Sequence, residues 1–433
     1  MLERSPSAPR KHSSTEVPSR FVSVQDGRFF VDGAPHRFVG ANLWCAAYLG
    51  ANAGFGDRDR LRRELDRLSE VGVLNLRILA SSELSPLKSA VRPAFRDKSG
   101  EANRELLQGL DFALAEMKAR GQRAVLYLTN FWEWSGGMMT HLYWTNGGEF
   151  VDMDDPEHPW PEFPDFAAQF YANREAVALY HEYVRLLLTR ENSFTGQRYA
   201  DDPTIFAWQL ANEPRPGVST AVVERNIDAY VAWIRHTARL LKSLDPNHLV
   251  STGSEGLVGS ANREDYFLRA HDTPDIDYLT AHIWPQNWNW ITPDDLAGTF
   301  PNAERLAQSY LAQHIGLADD LGRPLVVEEF GFPRDEGRFD RKATTAFRDD
   351  FYALIQEAVL ASARSNGPLS GSNFWAFGGE GSAAHADYRL RPGESSYLGD
   401  PPHEPQGWYS VFDSDTSTLK LISAHAASLR AVP

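Results

Sequence analysis

Residues 205–213 read IFAWQLANE, an almost continuous apolar run that ends on two polar side chains, Asn212 and Glu213. An apolar run of this length without regular alternation is typical of a strand that is buried on both faces of a parallel sheet. A carboxylate at the end of such a strand is costly to desolvate unless it is paired or functional. The stretch therefore predicts a parallel sheet and marks Glu213 as a candidate functional residue.

The same unit, a short apolar run followed by a helical pattern, recurs along the chain. The predicted strands lie at residues 37–42, 73–79, 123–130, 205–212, 249–255, 276–284, 323–331 and 371–378. Apolar residues spaced three and four apart predict helices at 58–71, 103–120, 172–190, 219–243, 262–270, 301–321, 343–363 and 416–430. Eight strand–helix units predict a single α/β (β/α)8 TIM barrel. A doubly wound open sheet is the alternative, but the segment GANLW after the first strand is not the Gly-rich turn that such a sheet normally carries.

The two ends of the chain differ in character. Residues 1–20 are polar and rich in Ser and Pro, so we predict a disordered N-terminal arm, followed by one domain over 21–433. Asp26-Gly27 lies between two apolar runs in residues 21–31, which predicts a β-hairpin before the barrel. The arm lacks the apolar core of a secretory signal, so we expect a cytoplasmic protein, or a secreted one if a signal was removed.

Two connections are longer than plain loops. Residues 131–171 follow the third strand and residues 379–410 follow the eighth, and both are rich in Gly, Pro and aromatic side chains. Both leave the carboxyl ends of strands, the face on which barrel active sites lie. Long loops in compact domains are usually functional or disordered. The aromatic content of these two favours function, so we predict that both contribute to a site.

Composition excludes several classes of partner. The 433 residues hold 43 Lys and Arg against 58 Asp and Glu, a net charge of −15. This balance argues against nucleic acid and against an anionic membrane surface. Cys45 is the single cysteine, so no intrachain disulfide and no Cys-rich metal cluster can form. We expect a monomer without a metal ion or a cofactor.

Glu213 and Glu329 are the most informative pair of polar residues at the strand ends. They follow the fourth and seventh strands, which a barrel places on opposite sides of one mouth. Two carboxylates across a cleft, one protonated and one ionised, are the groups that glycoside hydrolysis requires, and unequal burial and mutual repulsion would separate their pKa values. The alternative is that each glutamate is paired structurally, with Arg215 or Arg334.

The motifs around these glutamates resemble a known family. Asn-Glu-Pro at the end of strand four and Glu-Phe-Gly at the end of strand seven are similar to the signature of glycoside hydrolase family five, in clan A. The longer stretches GANLWCAAYLGA, LYLTNFWEWSGGM, ADDPTIFAWQLANEPRPG and SLDPNHLVSTGSEG resemble its β-mannan-active subfamily, which includes β-mannanases and exo-β-mannosidases. The resemblance extends from about residue 21 to residue 378.

The resemblance implies roles for individual residues. Glu213 matches the acid/base and Glu329 the nucleophile, and the supporting positions match Arg77, Asn212, His282 and Trp375. Arg215 matches a contact to the sugar on the leaving-group side. One departure is Trp284, because many members carry a tyrosine there that hydrogen-bonds the nucleophile, and an indole can donate but cannot accept.

Aromatic residues cluster after the predicted strands. Seven of the 12 tryptophans follow a strand: Trp44, Trp132, Trp134, Trp284, Trp288, Trp290 and Trp375. Flat amphipathic rings suit a ligand with one apolar face, such as a pyranose, so we predict that Trp132, Trp134, Trp288 and Trp375 bind sugar. Trp208 and Trp233 are expected in the core.

Two further glutamates end strands. Glu255 is a candidate contact to sugar or to Arg77. Glu328 adjoins Glu329, and because neighbouring residues of a regular strand face opposite ways, we expect it to support the site from outside the mouth.

Other classes of enzyme fit the sequence less well. A metal-dependent barrel hydrolase needs His-x-His after strand one, and GANLW has none. His181-Glu182 begins a zinc helix motif that fails at Arg185, and TGSEG at 252–256 only approximates a serine hydrolase elbow. A non-catalytic sugar-binding barrel would have lost one or both glutamates.

These observations predict a retaining glycoside hydrolase that cleaves β-1,4-mannosidic linkages in mannan or mannooligosaccharides. We favour an exo-acting mannosidase, because the two long loops could close the cleft on the glycone side. The alternatives are an endo-β-1,4-mannanase that acts on polymer, or a relative that is active on β-1,4-glucan.

Overall fold

The computed structural model describes residues 21–433, so the predicted arm at 1–20 lies outside the described residues. The strands are β1 (Ser23–Gln25), β2 (Arg28–Val31), β3 (Ala34–Pro35), β4 (Phe38–Asn42), β5 (Asn75–Leu79), β6 (Arg123–Tyr127), β7 (Ile205–Gln209), β8 (Leu249–Ser251), β9 (Leu279–Ile283), β10 (Leu325–Phe330), β11 (Leu369–Phe374), β12 (Phe377–Gly379) and β13 (Val411–Phe412).

The α-helices are α1 (Ala46–Gly50), α2 (Arg58–Glu70), α3 (Arg104–Ala119), α4 (Gly137–Thr145), α5 (Glu162–Ala167), α6 (Arg174–Leu188), α7 (Thr220–Leu244), α8 (Glu264–His271), α9 (Leu296–Leu321), α10 (Ala346–Arg364) and α11 (Thr416–Arg430). Among the described residues, none of these helices is long and apolar enough to cross a bilayer.

The eight predicted strands form one parallel sheet in the order β8-β7-β6-β5-β4-β11-β10-β9. Hydrogen bonds from the Asp277 N–H to the Val250 carbonyl (2.8 Å) and from the His282 N–H to the Glu255 carbonyl (3.0 Å) join β8 to β9. This arrangement confirms the (β/α)8 barrel. The strands are shorter than predicted, because their polar ends leave the ladder and form the rim of the mouth.

The predicted hairpin closes the opposite end of the barrel. β1 and β2 pair antiparallel with Ser23 opposite Phe30, and the turn residues Asp26 and Gly27 both have positive φ, as a tight two-residue turn requires. Phe29 packs edge-on against Phe206 near the start of β7, at 5.2 Å between ring centroids. The hairpin therefore covers the amino-terminal end and leaves the carboxyl ends of the strands for a site.

The connection after β6 is not an irregular loop, since it contains α4 and α5. The sequence analysis missed α4 because GMMTHLYWT is apolar on all sides and is almost entirely buried, so it shows no helical stripe. Glu83 anchors its start by accepting a hydrogen bond from the Gly137 N–H at 2.8 Å.

The connection after β12, residues 380–410, is held down by two buried side chains. The indole N–H of Trp44 donates to the Gly399 carbonyl at 3.0 Å. The Asp400 carboxyl accepts the N–H groups of Gly407 and Tyr409, both at 2.6 Å. These contacts fix the loop over the mouth of the barrel.

Candidate active site

A cleft of about 340 Å³ opens at the carboxyl ends of the barrel strands. Most of the predicted site residues line it, namely Trp132, Trp134, Asn212, Glu213, Arg215, Glu255, Trp284, Trp288, Glu329 and Trp375. Arg77 and His282 lie behind its wall, fully buried, and contact the glutamates from below. The structure thus brings together residues that are far apart along the chain.

Glu213 follows the end of β7 and is surrounded by hydrogen-bond donors. Its Oε1 lies 2.6 Å from His282 Nδ1 and accepts the Trp284 indole N–H at 3.3 Å. Its Oε2 accepts the indole N–H of Trp132. The backbone of Glu213 has φ +49°, a left-handed conformation that non-glycine residues adopt only when their surroundings hold them there. The site therefore fixes the direction of this carboxylate.

These donors determine the charge of Glu213. Burial raises its pKa, but the hydrogen bond from His282, the charges of His282 and Arg215 and the Trp132 indole outweigh burial and leave the pKa below its usual range. Glu213 is therefore ionised before substrate binds. The sequence had predicted instead that unequal burial and mutual repulsion keep a proton on one of the two glutamates.

His282 is the group that holds the proton. Burial lowers its pKa, but the charge of Glu329 and the hydrogen bonds to Glu213 and Glu329 raise it to about 9. Its Nδ1 lies 2.6 Å from Glu213 Oε1 and 3.2 Å from Glu329 Oε2. The proton of the free site therefore lies between the two carboxylates.

Glu329 lies in β10 and is held by Arg77, whose Nη1 donates to Glu329 Oε1. Arg77 is fixed in turn by Gln209 Oε1 at 2.7 Å and Asn212 Oδ1 at 2.7 Å. Carboxylate oxygens of Glu213 and Glu329 lie within 4.8 Å of each other. This separation resembles the pair spacing of about 5–5.5 Å in retaining glycosidases rather than the 6.5–9.5 Å of inverting ones.

The alternative pairings of the two glutamates do not occur. Arg215 donates two hydrogen bonds, of 2.5 and 2.6 Å, to Glu255, and Arg334 binds Asp415 at 2.6 Å. Glu255 therefore contacts Arg215 rather than Arg77. Glu255 takes both of these Arg215 hydrogen bonds, so the Arg215 charge acts on Glu213 from a distance and not through a direct ion pair.

Trp284 occupies the position at which the resemblance implied a tyrosine that hydrogen-bonds Glu329. Its indole N–H donates to Glu213, not to Glu329. Its ring meets Trp375 edge-on, at 5.9 Å between centroids. Trp284 thus contacts Glu213, while Glu329 is held by Arg77 and lies 3.2 Å from His282 Nδ1.

The other tryptophans divide between cleft and core. Trp44 was expected on the active face, but it is fully buried and binds the 380–410 loop. Trp290 packs against Trp288 at 5.0 Å and does not line the cleft. Trp208 and Trp233 are buried in the core, as predicted.

The sequence analysis missed several residues that line the cleft: Glu133, Met153, Trp160, Val258, Asn287, His403, Glu404 and Trp408. Most come from the two long connections, which were predicted to contribute to the site. Their sequences have no regular pattern, so the individual side chains that face the cleft could not be predicted. Burial raises the pKa of Glu133 to about 7 and the pKa of Glu404 well above its usual value. His403 stacks nearly parallel on Trp134, and burial lowers its pKa to about 4. Burial therefore favours the uncharged forms of these three side chains.

Glu213, His282 and Glu329 are close enough together to raise the question of a metal ion. Two indole N–H groups point at Glu213 and the Arg77 guanidinium points at Glu329. Such donors compete with a cation for the same oxygens. These donors suit a pair of hydrogen-bonded carboxylates. The absence of a metal ion stays a prediction.

A parallel barrel with two glutamates facing each other across an aromatic cleft defines a glycoside hydrolase. Comparison with known proteins agrees, since a family model described as "GH family 5 beta-mannosidase-like" matches residues 19–433. The chain belongs to this family.

The relatives that resemble the chain cover nearly its whole length. A glycoside hydrolase family 5 mannosidase from Rhizomucor miehei, known from a crystal structure, is 34% identical, with a TM-score of 0.86 over 95% of this chain and 98% of that one. A putative mannan endo-1,4-β-mannosidase 9 of rice (Oryza sativa subsp. japonica) is 30% identical over 82% of this chain and 81% of its own length. The endo-1,4-β-mannanase of Rhizomucor miehei is 23% identical, with a TM-score of 0.68 over 95% of this chain and 99% of that one, and shows the same fold.

Proposed function

We propose that this chain hydrolyses β-1,4-mannosidic linkages with retention of configuration, and that residues 21–433 act as one monomeric catalytic domain. The observation that carries the proposal is the Glu213–Glu329 pair, whose carboxylate oxygens lie within 4.8 Å of each other in a cleft lined with tryptophan. Retention follows from that spacing, because it leaves no room for a water molecule behind the sugar.

In the first step Glu329 attacks the anomeric carbon. A bond forms between a Glu329 oxygen and the anomeric carbon, while the bond from that carbon to the leaving oxygen breaks. Glu213 protonates the leaving oxygen at the same time. In the second step Glu213 removes a proton from water, the water oxygen bonds to the anomeric carbon, and Glu329 is released as a carboxylate.

The proton for the first step comes from His282. Glu213 is ionised in the free site, and the proton lies on His282 Nδ1, 2.6 Å from Glu213 Oε1. A leaving oxygen bound beside Glu213 excludes water and disfavours the carboxylate. We infer that the proton then moves along this hydrogen bond from His282 to Glu213.

The remaining residues hold the sugar and the nucleophile. Arg77 holds Glu329 by a hydrogen bond and directs it toward the cleft. Asn212 lines the cleft and is fixed by Arg77 and by Asn130 (3.1 Å), so its amide is placed to bind the sugar 2-hydroxyl, where contacts strengthen in the transition state. Trp375 forms the floor for the reacting sugar, and Arg215 lies on the leaving-group side.

The relatives support a mannosyl substrate. The Rhizomucor miehei relative of 34% identity is named a mannosidase, and the rice relative is named a putative mannan endo-1,4-β-mannosidase. A variant of the Rhizomucor miehei mannosidase has been solved in complex with mannosyl-fructose. We therefore assign mannooligosaccharides as the substrate class for this chain, inside the cell or, if a signal is removed, outside it.

The 380–410 loop supports exo action. It brings His403, Glu404 and Trp408 into the cleft beside the two glutamates. A wall at that position limits the number of sugars that fit beyond the cleavage point. An endo-mannanase needs a groove that is open at both ends, so exo cleavage of single mannose units is favoured.

A product time course on mannohexaose tests this proposal. We expect mannose and mannopentaose as the earliest products. Mannobiose and mannotriose at early times would show endo action, and cleavage of cellohexaose at a comparable rate would show a β-glucanase. A chain that binds mannohexaose without cleaving it would be a sugar-binding barrel.

A further inference from the structure

Trp160 is a large aromatic side chain that is exposed at the edge of the cleft. Its exposed fraction is 59%, above that of the other exposed large apolar residues in the part of the chain that the structure describes. Single exposed apolar side chains are common on protein surfaces and need no special explanation. Trp160 differs because it lines the cleft together with Met153, a second exposed apolar side chain from the same connection. The exposed ring is therefore a candidate contact for the ligand of the cleft.

Contacts between rings place Trp160 on the same side of the cleft as the acid/base. The Trp160 ring is nearly parallel to the Trp132 ring, with 6.3 Å between centroids and 22° between planes. Trp132 in turn donates its indole N–H to Glu213 Oε2, and the Arg215 guanidinium lies over the Trp132 ring at 4.9 Å. Glu213, Trp132 and Trp160 therefore follow one another from the acid/base outward.

This side of the cleft receives the leaving group. The acid/base protonates the leaving oxygen, so the sugar that departs lies next to Glu213. A second hollow of about 290 Å³ adjoins the cleft here, and Arg215 and Val258 line both. The cleft thus continues past Arg215, which gives room for a leaving group of more than one sugar.

The segment that carries Trp160 is held in place at two points. Phe163, at the second position of α5, is buried and lies nearly parallel to Trp132, with 6.2 Å between centroids and 15° between planes. The Asp165 carboxylate accepts two backbone N–H groups directly before α7, at 2.8 and 3.0 Å. Because a ring on a fixed segment loses little freedom when a ligand stacks on it, the cost of binding is low.

We propose that Trp160 is a platform on which the second sugar of the leaving group stacks, and that it thereby sets a preference for substrate length. The first sugar of the leaving group lies beside Trp132 and Arg215, and the spacing of the Trp132 and Trp160 rings is similar to one sugar unit of a β-1,4 chain. A pyranose face of C–H groups packs well on a flat aromatic ring. The proposal rests on the function proposed above, because it takes the substrate to be a mannooligosaccharide whose leaving part extends past Glu213.

The length of the substrate decides whether Trp160 is used. Exo cleavage of mannobiose releases a leaving group of one sugar, which ends before Trp160. Cleavage of mannotriose releases a leaving group of two sugars, and the second of them reaches the ring. Because this contact is present in the transition state as well as in the bound substrate, it raises kcat/KM for mannotriose and leaves kcat/KM for mannobiose unchanged.

Steady-state rates of Trp160→Ala on the two substrates provide the test. We expect kcat/KM for mannotriose to fall about fivefold, the effect of one aromatic contact, while kcat/KM for mannobiose stays the same. Trp160→Phe, which keeps a flat ring, should retain most of the mannotriose rate. The matched control is Phe194→Ala, which removes another exposed aromatic ring, packed edge-on against Phe112 and outside the cleft, and should change neither rate.

Two results would overturn the proposal. An equal loss on both substrates in Trp160→Ala would show that the residue acts only by supporting Trp132 and Glu213. An unchanged rate on mannotriose would show that no sugar stacks on the ring.

A binding measurement separates this proposal from the proposed function. Titration calorimetry of Glu329→Gln with mannobiose and mannotriose requires no turnover. Adding Trp160→Ala to that variant should weaken mannotriose binding about fivefold and leave mannobiose binding unchanged. Equal affinities of the two proteins for mannotriose, or no binding of mannotriose, would contradict the platform. Failure of the unaltered chain to cleave mannohexaose would instead remove the proposed function, and the calorimetry would still decide whether Trp160 binds sugar.

Discussion

The Nδ1 atom of His282 lies 2.6 Å from Oε1 of Glu213, and this contact separates the acid from its proton in the free site. The histidine is protonated and the glutamate is ionised, although the roles proposed here require Glu213 to donate the proton. The arrangement stores the proton one hydrogen bond away from the residue that uses it. In the proposed mechanism, substrate binding in the cleft moves this proton from His282 to Glu213.

The first prediction concerns the leaving group. Glu213→Ala should lower kcat/KM on mannobiose by about 10³-fold, because general acid catalysis contributes 10²–10⁴-fold. The loss should be much smaller on 2,4-dinitrophenyl β-mannoside, whose leaving oxygen needs no proton. Steady-state rates on the two substrates give the comparison.

Azide provides the control for that variant. It is a nucleophile that needs no general base, so it should restore turnover of Glu213→Ala on the activated substrate and yield β-mannosyl azide. Equal losses on both substrates, with no response to azide, would remove Glu213 from the acid/base role.

The second prediction concerns pH. The pKa of His282 is raised to about 9 from the ordinary value of 6.5, so the proton is present at neutral pH and is lost as the pH rises through 9. The kcat/KM for mannobiose, which reports the free enzyme, should therefore fall as the pH approaches 9. Rates measured from pH 6 to pH 10 test this, and a decline already complete at pH 7 would place the proton elsewhere.

The third prediction concerns the 380–410 loop. Asp400→Ala leaves the N–H groups of Gly407 and Tyr409 without their buried acceptor. The free energy of unfolding should fall by about 2 kcal/mol, the cost of leaving buried donors unpaired. The looser loop should also admit longer glycone segments, so mannobiose should appear among the early products from mannohexaose.

Asp387→Ala is the matched control for that variant. Asp387 lies in the same loop and pairs with Arg391, but both side chains are half exposed. It should leave stability and the product pattern almost unchanged. The same product shift in both variants would show that loop anchoring does not set the cleavage mode.

The fold could be predicted from the sequence because buried parallel strands and amphipathic helices leave strong periodic patterns. All eight barrel strands and the helices that cover them were placed correctly, as was the Asp26-Gly27 turn. The helix α4 was missed because it is buried on every side, which removes the amphipathic pattern.

The site could be predicted only in part, for a different reason. Residues at strand ends, such as Glu213 and Glu329, are located by the regularity of the strands before them. His403 and Glu404 come from an irregular loop, and their direction depends on tertiary contacts such as the Asp400 hydrogen bonds. Glu328 forms a β-bulge where β10 pairs with β9, and the local sequence does not reveal this irregularity because it depends on the partner strand.

The central claim is that Glu329 forms a covalent bond to the sugar. The most direct measurement is mass spectrometry of the protein after reaction with a 2-deoxy-2-fluoro-β-mannosyl fluoride, which slows release of the glycosyl-enzyme. We expect one added fluoromannosyl group, located on the peptide that contains Glu329 and absent from Glu329→Gln. A label on Glu213 or Glu404, or no label together with an inverted product, would contradict the account.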